Sequence, residues 1–137
     1  MISYHKLYNF KFESDSSVSS WISQVIANES FKEGDINYIF CDDSYLLDIN
    51  IKYLKHNTLT DIISFDYTLG KLISGDIFIS IERVMENTFI FNNTFSDELH
   101  RVIIHGILHF CGYKDKSEDE KKNMRKKEDY YLSLRTF

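Results

Sequence analysis

Residues Ser96 to Asp115 read S-D-E-L-H-R-V-I-I-H-G-I-L-H-F-C-G-Y-K-D, and the reading of the whole chain starts there. Leu99, Val102, Ile103, Ile107 and Leu108 follow helical spacing, Ser96 is placed to cap the helix, and Asp97 and Glu98 suit its positive end. His105 and His109 are separated by one helical turn, so their imidazoles project from the same face. Gly112 predicts the end of the helix, because glycine takes the left-handed conformation without strain, and the resulting turn carries Asp115 back toward the histidines. Two imidazoles and a carboxylate meeting at one point form a ligand set for one divalent metal ion, and zinc suits it. Three protein ligands leave a coordination position open, as in catalytic rather than structural sites. An ion so held acidifies water and stabilises charge on a phosphoryl or carbonyl oxygen.

The ligand spacing is metzincin-like, H-x-x-x-H-x-x-G-x-x-D, with Asp115 in the place of a third histidine. An anionic ligand lowers the positive charge of the site and predicts weaker acidification of water than three imidazoles would give. Metalloproteases of this type place a glutamate directly after the first histidine as general base, and here that residue is Gly106, which weighs against peptidase chemistry. Cys111 lies roughly 200° around the helix from His109 and is not counted as a ligand. Glu98 shares the histidine face two turns earlier, where interaction with the helix dipole accounts for it.

Working outward, residues 2 to 12 read as a first strand, and Ser14 to Ser17 offer caps for a helix whose inner face is Val18, Trp21, Ile22, Val25 and Ile26. Ile36 to Cys41 reads as a second strand. Asp42 and Asp43 can then cap a helix carrying Leu46, Leu47, Ile49, Ile51 and Leu54. Ile62 to Tyr67 and Ile77 to Ile81 read as core strands on either side of T-L-G-K, with helices from there onward. The order β-α-β-α-β-β-α-α-α predicts an α+β fold: a small mixed sheet, partly parallel, covered by helices, with the metal site at the end of a central helix. No linker or repeat divides residues 1–137, so one domain is expected.

A hydrophobic fraction of 43%, with 11 Phe and 9 Tyr, is enough for a core and excludes a disordered chain. No apolar run is long enough to span a membrane and the N-terminus lacks a signal-peptide core, so a cytoplasmic protein is expected. Cys41 and Cys111 form no C-x-x-C pair and read as small hydrophobes. The net charge of −5 argues against gross nonspecific nucleic-acid binding, but a whole-chain sum says nothing about local patches. The segment from Lys114 to Lys127 nevertheless carries seven Lys or Arg against four Asp or Glu, which makes Lys114, Lys116, Lys121 and Arg125 candidate RNA contacts. The run D-K-S-E-D-E-K-K-N-M-R-K-K-E (115–128) also reads as the solvated start of a C-terminal helix with i, i+4 ion pairs.

The motif H-G-I-L-H-F-C-G-Y resembles the core of the YbeY family of metal-dependent endoribonucleases. T-D-I-I-S-F-D (60–66), S-G-D-I-F-I-S (74–80) and E-L-H-R-V-I-I (98–104) resemble further family blocks in the family's order. The resemblance implies an α+β fold, zinc bound through His105 and His109, cleavage of single-stranded RNA, and a role in small-subunit ribosomal RNA processing, with RNA or ribosomal particles as partners. The family's G-Y-D-H ending reads G-Y-K-D here, so Asp115 takes the third ligand position. The family's Y-R-G-K-D reads Y-L-K-H-N, so Leu54 replaces an arginine, and Lys55 and His56 become candidates for phosphate contact or proton donation. Two other functions stay open on sequence grounds: a noncatalytic ribosome-assembly factor with a structural metal, and a metallopeptidase.

Overall fold

The computed structural model describes residues 1–137. Four strands, β1 (Ile2–Lys6), β2 (Lys32–Cys41), β3 (Ile62–Asp66) and β4 (Leu72–Ser80), form one sheet in the order β1-β2-β4-β3. The pairs β1–β2 and β2–β4 are parallel and β3–β4 is antiparallel, so the sheet is mixed. Five helices accompany it: α1 (Asp15–Asn28), α2 (Asp43–Ile49), α3 (Ile81–Phe91), α4 (Phe95–Phe110) and α5 (Glu118–Ser133).

Alternation along the central strands selects the buried face of the sheet. Ile36, Tyr38 and Phe40 of β2 and Ile73, Ile77 and Ile79 of β4 are fully buried in one cluster with the inner face of α1 and most of α4. Side chains also tie the layers together: Tyr38 Oη donates to the Ile103 carbonyl of α4 at 2.9 Å, and Trp21 Nε1 donates to the Tyr131 carbonyl of α5 at 2.8 Å. No helix is long and apolar enough to cross a membrane.

Several boundaries differ from the sequence-based expectation. The first strand stops at Lys6, and Tyr8, Phe10 and Phe12 pack on the core from an unpaired segment, with Phe10 edge-on to Phe40 at 5.2 Å. Alternating aromatics reach the core from any extended segment, whether or not its backbone is paired. No serine side chain caps α1, whose N-cap Ser14 adopts a left-handed conformation at φ 58°. The second helix ends at Ile49 and continues as one π-helical turn, Asn50–Leu54. Strand β4 begins five residues earlier than predicted, at Leu72, and ends at Ser80, whose Oγ accepts the Arg83 N–H and starts α3, so Ile81 is helical. Thr94, not Ser96, caps α4, accepting the Asp97 N–H at 3.1 Å.

Helix α4 runs through the middle of the molecule. From Glu98 to Phe110 it is buried on nearly every side, and the stripe Arg101, His105, His109 is the part left half-open. Gly106 faces inward, where a Cβ would stand 3.0 Å from Ile77 Cδ1 and 3.2 Å from Ile62 Cδ1, so glycine is what lets α4 lie this close to the sheet.

Candidate metal centre

The C-terminus of α4 builds the site. Gly112 has φ 99°, its N–H bonds to the His109 carbonyl, and the Tyr113 N–H bonds to the Leu108 carbonyl, each at 3.0 Å. This is a Schellman closure, and it sends the chain back along the helix. The Tyr113 carbonyl then accepts His109 Nδ1 at 2.9 Å, so the glycine turn also orients the second histidine. Asp115 Oδ2 arrives 3.1 Å from His105 Nε2 and 3.2 Å from His109 Nε2, which are themselves 2.9 Å apart.

This triangle fits a metal ion both in size and in chemistry. Ligands about 2.0 Å from a tetrahedral ion lie roughly 3.3 Å from one another, close to the three observed separations. His105 Nδ1 donates to Glu128 Oε2 at 2.6 Å and His109 Nδ1 donates to a carbonyl, so in the neutral imidazoles both Nε2 atoms carry lone pairs. Three acceptors converging within hydrogen-bond distance repel one another unless a cation or a shared proton lies between them. His105, His109 and Asp115 could therefore hold one ion.

Glu128 is the residue that sequence reasoning missed. It lies inside the segment read as solvated, yet its side chain is only 5% exposed. It holds His105 Nδ1 through one oxygen and Arg101 NH1 through the other at 3.0 Å, while Arg101 NH2 reaches Asp129 at 2.7 Å. Burial works against the charged form of His105, but the hydrogen bond and charge of Glu128, together with Asp115 and Asp61, outweigh it and raise the His105 pKa above 6.5. His100, on the same helix, belongs elsewhere: burial and the Arg135 guanidinium, 2.7 Å from its Nδ1, push its pKa down to about 4. Replacing Glu128 by glutamine keeps the shape but weakens the orientation and basicity of His105. The expected result is a roughly 10- to 100-fold loss of metal affinity, measured by competition with a chromogenic chelator, together with a lowered melting temperature, because one amide oxygen cannot accept from both His105 Nδ1 and Arg101.

The triangle opens onto a cavity of about 430 Å³. Lys121 and Arg125 line it, as does Glu98, which the sequence reading left to the helix dipole but which is buried and accepts Asn93 Nδ2 at 2.8 Å. Asp61, from the start of the T-D-I-I-S-F-D block, forms another wall, and burial raises its pKa although His105 opposes the shift. Lys114 and Lys116 are exposed beside the turn and do not line the cavity. Lys55 and His56 are likewise exposed and outside it, in the segment after the π-helical turn, and Leu54 is 45% exposed. Cys111 does not join the ligand cluster, and both cysteines are free.

The family model described as Endoribonuclease YbeY matches residues 4–135. The chain belongs to the YbeY family. It is 57% identical over 134 residues to the endoribonuclease YbeY of Flavobacterium psychrophilum, covering 98% of this chain and 96% of the relative. It is 49% identical over 132 residues to the endoribonuclease YbeY of Karelsulcia muelleri, covering 96% and 94%. The solution structure of TM1509 from Thermotoga maritima is similar with a TM-score of 0.67 at 25% identity, covering 97% of this chain and 87% of that one. A YbeY endoribonuclease is a hydrolase acting on RNA.

Proposed function

We propose that His105, His109 and Asp115 hold one zinc ion, and that the protein uses this site to hydrolyse phosphodiester bonds in single-stranded RNA during ribosomal RNA processing. The observation that carries the reading is the convergence of three lone-pair atoms at the wall of an open cavity. A nitrogen-rich set of two imidazoles and one carboxylate suits zinc, and three ligands leave room for reacting groups. When bound, the ion supplies Lewis acidity, acidifying water and drawing charge from a phosphoryl oxygen.

The chain's own residues do the rest. Glu128 and the Tyr113 carbonyl fix both imidazole rings with Nε2 toward the ion. Lys121 and Arg125 put positive charge on the cavity wall, where phosphates of the strand can be held. Asp61 and Glu98 are wall carboxylates outside the ligand triangle, and a proton from water can be taken up by a carboxylate of this wall. A ribosomal target, and with it a cytoplasmic setting, rests on the family resemblance. Gly106, packed against the sheet, leaves a protease-type glutamate no place at the site.

The test is cleavage of a single-stranded RNA by zinc-loaded protein purified free of contaminating nuclease. Cleavage should stop with chelator, return with zinc, and be weaker on a duplex of the same sequence. Tight binding to ribosomal particles without turnover in metal-replete protein would instead establish the noncatalytic assembly role.

A further inference from the structure

The cavity rim carries an aromatic ring that the proposed chemistry does not use. Phe91, at the end of α3, is 51% exposed and still lines the cavity that contains His105, His109 and Asp115. The buried residues of α3, Ile81 and Val84, lie in its first half, so its C-terminal end stands clear of the core. One turn before Phe91, Asn87 Nδ2 donates to Asp61 Oδ2 at 3.3 Å, which turns the face shared by Asn87 and Phe91 toward the cavity. Across the cavity, Lys121 and Arg125 are one turn apart on α5, and the guanidinium carbon of Arg125 lies 5.7 Å from the Phe91 ring centroid. A phenyl ring half in water, braced by a guanidinium and beside a second cation, contributes little to the core.

We propose that Phe91, braced by Arg125, is a stacking platform for one unpaired base of the RNA strand, with Lys121 and Arg125 holding the adjacent phosphates. The proposal rests on the ribonuclease reading above and extends it to the recognition of the strand. Every nucleobase has a π-face, so an exposed phenyl accepts any of them, and the neighbouring cations complement the phosphates that flank the base. Bases in a duplex are already stacked on their neighbours and cannot be splayed onto the ring without cost. Phe91 thus supplies a physical origin for a single-strand preference that the metal ligands cannot supply, since a phosphodiester looks much the same to them in either form. Phe89 and Ile90, also exposed, do not line the cavity and are not part of the platform.

The experiment measures steady-state cleavage of a short single-stranded RNA carrying 2-aminopurine by the zinc-loaded wild type, Phe91→Ala and Phe91→Trp. Phe91→Ala should raise KM roughly 5- to 100-fold with a much smaller change in kcat, whereas Phe91→Trp should keep KM near the wild-type value and quench the 2-aminopurine fluorescence on binding. An RNA with an abasic residue at the platform position should lose the difference between wild type and Phe91→Ala. Unchanged KM in Phe91→Ala with cleavage intact overturns the platform while leaving the ribonuclease reading in place. A fall in kcat that tryptophan does not rescue marks a merely structural role and also overturns it. If the wild type cleaves no RNA, both readings fall together.

Discussion

Replacing His109 by alanine should abolish metal retention and lower RNA cleavage by roughly three orders of magnitude or more, because the several kcal/mol that a Lewis acid contributes to the transition state vanish with the ion. The remaining donors, His105 Nε2 and Asp115 Oδ2, are 3.1 Å apart and leave the ion with two protein ligands instead of three. The fold should survive. The His109 side chain is 29% exposed, and the Schellman closure that follows it uses backbone groups only. Metal content per chain, measured on wild type and variant purified in parallel, should fall from about one to near zero. Melting curves recorded after chelation should nearly coincide. Equal cleavage by both proteins in nuclease-free preparations would remove this site from the reaction.

Gly106→Glu should be the most destabilising single change near the site. The substitution restores the H-E-x-x-H pattern of metalloproteases, yet the side chain would not reach the metal. Its Cβ would start 3.0 Å from Ile77 Cδ1, and the carboxylate would have to enter the contact between α4 and the sheet, where overpacking and an unpaired buried charge act together. A loss of more than about 4 kcal/mol is expected, a large part of the stability of an ordinary domain. Urea unfolding monitored by Trp21 fluorescence measures it, with Gly106→Ala as a milder comparison that meets the same isoleucines with a single methyl group. A stable Gly106→Glu protein that cuts an unstructured peptide would contradict the inward placement of this residue and reopen the peptidase reading.

The three candidate ligands were readable because their convergence depends on local geometry. Helical spacing places His105 and His109 together, and a glycine that closes a helix brings back whatever lies three residues later. Glu128 was hidden for the opposite reason. It sits in D-K-S-E-D-E-K-K-N-M-R-K-K-E, where charge dominates the composition, and its burial comes from α4 and from Arg101, which is 27 positions away in sequence. Met124, Glu128 and Tyr131 form the buried face of α5, an i, i+4, i+7 pattern in which a carboxylate takes a core position. A charged residue spaced with two apolar ones was the available signal. Lys114 and Lys116 share the charge of that segment but lie outside the cavity, since net charge counts residues and says nothing about the direction in which each one points.

The amino-acid order alone was sufficient for the α+β class, the central helix, its glycine stop and the three prospective ligands, because each follows from periodicity or turn chemistry within about 20 residues. Long-range packing settled the rest. The insertion of β4 between β2 and β3, the inward face of Gly106, and the grip of Glu128 on His105 all join residues distant along the chain. The gathering of Asp61, Phe91, Lys121 and Arg125 around one cavity is of the same kind. Local propensity carries no record of such pairings; they exist only once the sheet and helices bury their apolar faces against one another.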